Sequence, residues 1–389
     1  MFSISNLISR NIIDIVYPVA GLDFLVDSDG KLVFLEANSV PAGLGIISYI
    51  SQYFDRKYSS KISELYDFNS FILGRFYRLV KKLSLGNGKV IMLVPNDFKG
   101  ILNFDRELIF NYLKKRGVNI RRCTNKQIIL KGNKILFNVN GEVFSPSVII
   151  RRVFSFKKCL KVNVINPSET GSITQNKWKT FSILMRKLGK STYFYLPETI
   201  LVEKVEQLYD ALDYFMSKGK KVILKPLKGH GGKGITIIDK MDKKISKKIK
   251  ILKTPILVQE KIETMGFQSY DRKKYFFDIR SFIIGGKFAG MQLRRSPKPI
   301  SSNDKKGIIT NISSGGHYVH VFLGEVDKFD SYTIENKTII LNKKTPPIDG
   351  NIAVIDSSFL KKIIKASEII TKALGKNIFD KYRECFLND

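Results

Sequence analysis

Two strand-like runs close to the N-terminus constrain the fold of this chain more than any other segment. They cover residues 21–26 and 31–37, and the four residues between them read Asp27-Ser28-Asp29-Gly30. Short apolar runs joined by such turn residues predict a β-hairpin. If the last two of these four residues form a two-residue turn, Asp23 lies directly opposite Glu36.

The facing carboxylates predict a cation site on one face of this hairpin. Two acids placed directly across a strand pair repel each other unless a cation lies between them. Asn38 lies two residues beyond Glu36 and therefore on the same face. Oxygen atoms from Asp, Glu and Asn side chains are the ligands that magnesium prefers. The alternative is an edge hairpin with solvated acids, which the apolar residues on both faces disfavour.

The periodicity of the chain as a whole predicts an α/β protein with α+β lobes, divided into five regions. These are a hairpin region over residues 1–42, a helical connection over 43–85, an α/β substrate domain over 86–165, a small lobe with a glycine-rich loop over 166–265, and a large lobe over 266–389. A helix is predicted over residues 177–188 and a final helix over residues 357–374.

A strand that ends in a lysine leads into a glycine-rich segment. Val222-Ile223-Leu224 is followed by Lys225-Pro226, and the next glycines are Gly229, Gly231, Gly232 and Gly234. Backbone amides in such a loop approach phosphate oxygens closely, while Lys225 supplies a fixed positive charge. The spacing lacks the Gly-Lys-Ser/Thr ending of a Walker P-loop. Because glycine-rich turns are also common without a ligand, this segment indicates a phosphate site only in combination with the other motifs.

A further group of charged residues lies on two adjacent predicted strands. Gln259-Glu260-Lys261-Ile262 ends one strand, and Asp278 and Arg280 share one face of a later strand. If Gly285-Gly286 forms a two-residue turn, Arg295 on the returning strand shares that face and Arg294 does not. We therefore predict Arg295 as the phosphate-facing arginine, although a three-residue turn would reverse the choice.

The segment Thr310-Asn311-Ile312-Ser313-Ser314-Gly315-Gly316-His317 predicts a loop that stabilises negative charge. The backbone amides of Gly315 and Gly316 are unhindered donors for an oxyanion, and Asn311 offers a side-chain oxygen to a metal or phosphate group. His317 and His320 lack a third metal ligand at a suitable spacing, so we interpret them as ordinary polar residues.

Composition narrows the class of protein without identifying it. The 66 basic and 35 acidic residues give a net charge of +31, but the lysines are dispersed and no nucleic-acid-binding motif accompanies them. We expect a charged surface that suits an acidic carrier or peptide, with no specific nucleic acid and no membrane. Cys123, Cys159 and Cys385 are scattered, and no apolar run reaches the roughly 18 residues that span a bilayer. These features predict a cytoplasmic protein.

Taken together, these segments resemble the ATP-grasp superfamily. Lys225-Pro226-Leu227 with the glycines that follow it resembles the phosphate loop of bacterial glutathione synthetases, as does Asn166-Pro167 with Asn176-Lys177-Trp178. Asp23 with Glu36-Ala37-Asn38 and Pro41 is similar to the metal-binding end of the D-alanine–D-alanine ligases. Gln259-Glu260 and Asp278-Ile279-Arg280 resemble segments of the ribosomal-protein glutamate ligases.

The resemblance implies a role for each matching residue. ATP and one or two Mg²⁺ ions, with Mn²⁺ as an alternative, are the implied cofactors. The nucleotide phosphates would bind Lys177 and Lys225 under the loop from Gly229 to Gly234, adenine would contact Gln259, Glu260 and Ile262, and the ribose would contact Asp278. The metal would bind Asp23, Glu36 and Asn38, and the transferred phosphate would be surrounded by Arg280, Arg295, Asn311, Gly315 and Gly316. A substrate carboxylate would bind Arg152, or Arg151.

The order of the motifs departs from the families that they resemble. In those families the Asp…Glu-x-Asn hairpin comes last, whereas here it comes first, which resembles a circular permutation. Termini of compact domains often lie close together, so such a permutation need not change the site. We therefore expect the hairpin to lie beside the strands over residues 276–284 and 288–294 of its own chain, although exchange between two chains stays open.

The reaction implied by the resemblance is amide or peptide bond formation. The γ-phosphate of ATP would pass to a carboxylate, and an amine on a small molecule or peptide would then attack the acyl phosphate. Two alternatives stay open: a kinase of the same fold that phosphorylates a hydroxyl of an anionic molecule, and a non-catalytic protein that binds nucleotide or nucleic acid. The sequence leaves the oligomeric state open.

Overall fold

The computed structural model describes residues 16–58, 65–96, 101–132, 134–153, 162–229, 234–239, 254–269, 271–300, 307, 309–324, 339–340 and 347–383. Within them lie seven α-helices, none of which is both long and apolar enough to cross a membrane. The helices are α1 (Leu44–Tyr58), α2 (Ile72–Leu83), α3 (Ile101–Lys115), α4 (Ser168–Thr174), α5 (Lys177–Leu188), α6 (Val205–Ser217) and α7 (Ser357–Lys381).

A large, mostly antiparallel sheet forms the centre of the molecule. Its order is β18-β19-β17-β16-β15-β1-β2, and β14 pairs with β15. The strands are β1 (Val19–Val26), β2 (Leu32–Asn38), β14 (Phe267–Gln268), β15 (Lys274–Ile284), β16 (Lys287–Pro299), β17 (His317–Leu323), β18 (Ile339–Ile340) and β19 (Pro347–Ile355). The N-terminal hairpin therefore lies beside β15 of its own chain, as expected, whereas the permutation relative to other families stays a prediction.

Three smaller sheets complete the fold. An antiparallel sheet of order β10-β13-β11-β12 contains β10 (Thr199–Val202), β11 (Val222–Pro226), β12 (Thr236–Ile238) and β13 (Ile256–Glu260). A parallel sheet of order β4-β3-β8-β9 contains β3 (Val90–Leu93), β4 (Ile120–Cys123), β8 (Val148–Arg151) and β9 (Asn163–Ile165). A three-stranded sheet contains β5 (Ile128–Lys131), β6 (Lys134–Val139) and β7 (Glu142–Phe144).

The two faces of the large sheet have different neighbours. On one face, Leu22, Phe24 and Ile279 pack in a core with side chains of α4, α5 and α7. On the other face, Phe282 and Ile284 pack against α1, α2 and the parallel sheet. The rest of that second face, where the strands carry charged residues, lies opposite the sheet formed by β10 to β13.

One predicted domain boundary differs from the observed packing. Residues 166–265 were predicted to form a single lobe, but Phe181, Leu184 and Phe194 are buried in the core of the large sheet. The lobe with its own core, which includes Leu212 and Leu224, therefore begins near β10. The periodicity of α5 shows that the helix has a buried face, but it does not show which sheet covers that face.

The β1–β2 hairpin pairs Asp23 with Glu36, as predicted, but not through the predicted turn. Val26 pairs with Leu32, so the loop is one residue longer than a two-residue turn at Asp29-Gly30 would allow. A β-bulge then shifts the register between Asp23 and Phe24. The two departures cancel, and the two carboxylates share one face of the sheet.

Candidate functional site

A cavity of about 400 Å³ lies between the large sheet and the sheet formed by β10 to β13. Its apolar portion is lined from both sheets, by Leu25, Leu35, Phe276, Ile223 and Ile237. Its polar portion contains charged groups of both signs. An apolar slot with a few convergent polar groups is the usual form of a small-molecule site. The polar residues that line it are Asp23, Glu36, Lys177, Lys225, Gln259, Glu260, Lys261, Asp278, Arg294, Thr310 and Asn311.

Two lysines form the positive side of the cavity near the glycine-rich loop. Lys225 ends β11 and donates a hydrogen bond from Nζ to Gln259 Oε1 at 2.6 Å. Burial lowers the pKa of Lys225 to about 8, with Glu36 opposing the shift and Lys177 adding to it. Lys177 begins α5 and donates from Nζ to the carbonyl oxygen of Gly229 at 3.0 Å. Both cations line the cavity, while Gly231 and Gly232 lie outside the described residues.

The side chains of Gln259 and Glu260 are occupied by protein partners. Gln259 Nε2 donates to Thr199 Oγ1 at 2.7 Å, and its oxygen accepts from Lys225. Glu260 Oε1 accepts from the Tyr195 hydroxyl and from the backbone amide of Glu198. Its other oxygen lies 2.7 Å from Lys220 Nζ. The two residues line the cavity, so direct contact with a ligand would fall to their backbone atoms and to the neighbouring Ile262.

Two aspartates and two arginines form a buried network on the large sheet. Arg280 donates from Nε and Nη2 to the two oxygens of Asp23, both at 2.6 Å. Arg294 donates from Nε and Nη2 to the two oxygens of Asp278, at 2.7 and 2.6 Å. A further hydrogen bond of 3.0 Å joins Arg294 Nη2 to Asp23 Oδ2. Burial alone would raise the pKa of Asp23, but Arg280 and Arg294 hold it well below its ordinary value.

Glu36 and Asn38 complete the charged face on β2. Asn38 Nδ2 donates to Glu36 Oε1 at 3.4 Å, and Glu36 Oε2 lies 3.7 Å from Lys177 Nζ. The side chain of Glu36 is 34% exposed, so its oxygens are accessible from the cavity. The oxygens of Glu36 and Asn38 suit a magnesium ion. The oxygens of Asp23 suit it equally well in chemistry, but both are taken by guanidinium groups.

Two comparisons with known proteins identify the fold of this chain. Residues 186–338 match the family model described as the ATP-grasp domain of prokaryotic glutathione synthetase. The structure also resembles that of a proposed gamma-glutamylcysteine synthetase from Methylobacillus flagellatus KT, with a TM-score of 0.55 over 97% of this chain and 92% of that one. The two chains are 11% identical, so the likeness shows the fold alone. The chain has the ATP-grasp fold.

Other similar proteins match a smaller share of this chain. The endospore coat-associated protein YheC of Bacillus subtilis strain 168 is 29% identical over 143 residues, which span 31% of this chain and 36% of that protein. A glutathione synthetase-like effector from Globodera pallida has a TM-score of 0.48 and 14% identity over 73% of this chain and 75% of that chain. Neither likeness extends the assignment beyond the ATP-grasp fold.

Arg294 rather than Arg295 lines the cavity, so the prediction that Arg295 lies on the site face was wrong. Gly285-Gly286 does form a two-residue turn, since Ile284 pairs with Lys287. A bulge farther along then shifts the register between Phe282 and Ile283, so Asp278 pairs with Arg294. Arg295 points to the other face, where its guanidinium lies 4.2 Å from the ring centre of Tyr275. An extra residue in one strand reverses which side chains face the site.

Arg152 and Arg151 lie outside the cavity and fasten the segment that follows β2. Arg152 Nη2 pairs with the buried Asp105 at 2.6 Å, and its Nη1 donates to the carbonyl oxygen of Pro41 at 2.9 Å. Arg151 Nη2 donates to Ser39 Oγ at 3.4 Å, and its Nη1 to the carbonyl oxygen of Val153 at 2.9 Å. A structural role therefore replaces the predicted contact of Arg152 with a substrate carboxylate.

The glycines of the Thr310 loop shape the turn, contrary to the prediction that their amides stabilise an oxyanion. Gly315 N donates to the carbonyl oxygen of Ile312 at 3.1 Å, and Gly316 N to that of Asn311 at 3.0 Å. A Cβ atom on Gly316 would lie 2.1 Å from the Thr310 carbonyl oxygen, so only glycine fits there. Asn311 itself lines the cavity, and its contact with a metal or phosphate group stays a prediction.

Two contributors to the site were missed at the sequence level. Thr310 donates from Oγ1 to Asp278 Oδ2 at 2.5 Å and so completes the ligands of that carboxylate. Lys220 holds the second oxygen of Glu260. Both residues act through another side chain, and no spacing rule links Thr310 to Asp278 or Lys220 to Glu260. Each pair comes together only in the folded structure.

Proposed function

We propose that this ATP-grasp chain is an ATP-dependent ligase that joins a carboxylate to an amine and releases ADP and phosphate. The observation that carries the proposal is the distribution of charge around one cavity. Lys177 and Lys225 approach it from one side, Arg294 approaches it from the large sheet, and Glu36 lies accessible between them. Cationic groups on several sides of a transferred phosphoryl group are what catalysis of this transfer requires.

The nucleotide is proposed to lie along the cavity. Its base would occupy the apolar slot between the sheets, close to Ile262 and the backbone of Gln259 and Glu260. Its phosphates would lie on Lys177 and Lys225. Asp278 is bound to Arg294 and Thr310 in this structure, so the proposed ribose contact shares a carboxylate that already has two partners.

Magnesium is proposed to bind Glu36, Asn38 and Asp23. These residues fit the ion because each offers an oxygen atom on one face of a strand pair. When bound, the ion would neutralise phosphate charge and align the phosphates with the attacking carboxylate. Asn311, which lines the cavity, and Arg280, which is bound to Asp23 in this structure, are proposed to contact the phosphoryl group as it transfers. The cavity walls would keep water away from the acyl phosphate.

Amino acids and short peptides are the first substrates to test. The matched family and the structural neighbour carry the names of glutathione synthetase and gamma-glutamylcysteine synthetase, which are named for products built from amino acids. Polyanions with free hydroxyls belong in the same screen, because a kinase of this fold would accept them. ADP release dependent on both a carboxylate and an amine identifies the substrate pair.

Transfer of an oxygen isotope distinguishes the two reactions. A carboxylate substrate labelled with ¹⁸O is expected to give one ¹⁸O atom to the released phosphate, since the acyl phosphate breaks at its carbonyl carbon. Unlabelled phosphate together with ADP release would contradict acyl phosphate formation. Phosphate retained on a hydroxyl of the product would identify a kinase instead.

A further inference from the structure

Asp23 is occupied in this structure by positive charge from its own sheet. Its carboxylate accepts two hydrogen bonds from Arg280 and one from Arg294, and the residue is 2% exposed. A divalent cation coordinated by Asp23 needs one of the same oxygens. Three hydrogen bonds occupy most of the roughly four lone-pair positions of this carboxylate, so a cation at Asp23 competes with the guanidinium groups for it.

The two arginines are held unequally. Arg294 has an anchor of its own, because both oxygens of Asp278 accept its hydrogen bonds, and it reaches Asp23 through a single longer bond. Arg280 donates hydrogen bonds to Asp23 and, within the described part of the chain, to no other residue. Arg280 is thus the arginine that can leave Asp23 without giving up a second partner.

The row of side chains across the sheet shows what the Arg280 guanidinium replaces. Glu36, Asp23 and Arg280 lie opposite one another on β2, β1 and β15. Two carboxylates so close together need a cation, and Arg280 supplies that positive charge beside Asp23 in the absence of a metal. An unpaired carboxylate at 2% exposure would otherwise destabilise the fold.

We propose that Arg280 is an internal substitute for the divalent cation. Arg280 pairs with Asp23 while the nucleotide is absent and moves to the nucleotide phosphates when they bind. This movement opens Asp23 to the metal. A guanidinium group binds phosphate with the same forked geometry that it uses for a carboxylate. The exchange keeps every charge paired, because Arg280 moves from one anion to another as the metal takes its place. Arg294 stays on Asp278 throughout.

This exchange makes metal affinity at Asp23 depend on the nucleotide. Metal alone has to displace Arg280 without offering it another anion, so it binds weakly. The inference rests on the proposed nucleotide and metal roles, but it does not require the ligase reaction. A test that uses metal binding without turnover therefore fails or succeeds independently of the proposed chemistry.

Mn²⁺ binding to the nucleotide-free protein, followed by electron paramagnetic resonance, tests the exchange. Arg280→Met removes the competing guanidinium and keeps an apolar stem of similar length. We expect it to bind Mn²⁺ at least about tenfold more tightly than the wild type. Arg295→Met is the matched control, because Arg295 lies on the other face of the sheet from Asp23, and its Mn²⁺ affinity is expected to stay near the wild-type value.

Further variants keep the test decisive if Arg280→Met folds poorly. Thermal unfolding of Arg280→Met with and without Mn²⁺ is expected to show a larger stabilisation by the ion than in the wild type. Adding Asp23→Asn to Arg280→Met is expected to abolish the gain in Mn²⁺ affinity. The proposal is overturned if Arg280→Met gains neither affinity nor stabilisation from Mn²⁺, if Arg295→Met gains as much, or if the double variant keeps the gain.

Discussion

The two hairpins that build the charged face of the large sheet differ in how their registers arise. In β1–β2 the turn is longer than a two-residue turn, and a bulge restores the pairing of Asp23 with Glu36. In β15–β16 the two-residue turn is regular, and a bulge farther along exchanges Arg295 for Arg294. In β1–β2, counting from the turn predicted the correct pair although the predicted turn was wrong. In β15–β16, the predicted turn was correct but the predicted arginine was wrong.

The difference shows that bulges decide which side chains reach this site. Each bulge adds one residue to one strand and so moves every later side chain to the other face. The bulge in β16 has a visible support, because Met291 N donates to the side chain of Asn69 at 2.9 Å rather than to a strand. Asn69 lies in the loop before α2, far from β16 in sequence, and nothing in the β16 segment itself announces it.

Exchanging the two neighbouring arginines for methionine gives the largest expected difference. Arg294→Met is expected to lower the free energy of unfolding by about 3–5 kcal/mol, because it leaves the buried Asp278 without its charge partner. Arg295→Met is expected to cost less, about 1–2 kcal/mol, through the lost contact with the Tyr275 ring and the lost hydrogen bond to the Ser296 carbonyl oxygen. Denaturant unfolding and ATP-analogue binding of both variants measure this, and equal losses in the two variants would contradict the observed register.

Removing the support of the bulge is expected to have a smaller effect. Asn69→Ala leaves the buried amide of Met291 without an acceptor, so the free energy of unfolding is expected to fall by about 1–3 kcal/mol. Ser70→Ala, at an exposed position in the same loop, is the control, with an expected change within about 0.5 kcal/mol. Denaturant unfolding compares the two. An Asn69→Ala variant as stable as the control would show that the bulge needs no side-chain support.

The hairpins supply arginines that stay charged, whereas the facing sheet supplies Lys225, whose pKa burial lowers to about 8. Bound phosphates favour the charged lysine, so the nucleotide complex has a higher pKa than the free protein. Nucleotide affinity is therefore full below about pH 8 and falls as pH rises through that value, by up to about tenfold per pH unit. Lys225→Arg is expected to remove this decline. Calorimetric titration of an ATP analogue from neutral to alkaline pH tests it, and an equal decline in both proteins would exclude Lys225 as the titrating group.

The turn of the first hairpin gives the smallest expected change. Gly30 has a φ of +78°, and a Cβ atom there would meet nothing within 4 Å. Gly30→Ala is therefore expected to lower stability by about 1 kcal/mol through backbone strain alone, and Gly30→Asn by less. Thermal unfolding of the two variants separates them. A larger loss in Gly30→Asn than in Gly30→Ala would show that contacts, rather than φ, restrict this position.

Much of the fold follows from local patterns in the sequence. The amphipathic run over residues 177–188 and the start of the last helix at Ser357 agree with the observed helix bounds. The last helix extends to Lys381, beyond the predicted end at residue 374. The strands β4 and β10 were missed, because strands of four residues are too short to show a period. The longer strands β17 and β19 were missed as well.

From the pattern of residues alone, the proximity of two site residues was predictable only where one strand pair contains both. Asp23 and Glu36 belong to one hairpin, so their proximity follows from the sequence. The link from Arg280 to Asp23 depends on a pairing between strands that are more than two hundred residues apart in the chain. The loss of Gly315 and Gly316 as oxyanion donors has a similar cause, since only the folded loop shows that their amides are already bonded.

A crystal structure with a non-hydrolysable ATP analogue and Mn²⁺ tests the central claim most directly, since anomalous scattering locates the ion. The account predicts phosphates between Lys177, Lys225 and Arg294, with Mn²⁺ on Glu36, Asn38 and Asp23. It also predicts the Arg280 guanidinium on a phosphate oxygen rather than on Asp23. A nucleotide bound outside this cavity, or an ion that touches neither Glu36 nor Asp23, would contradict the account.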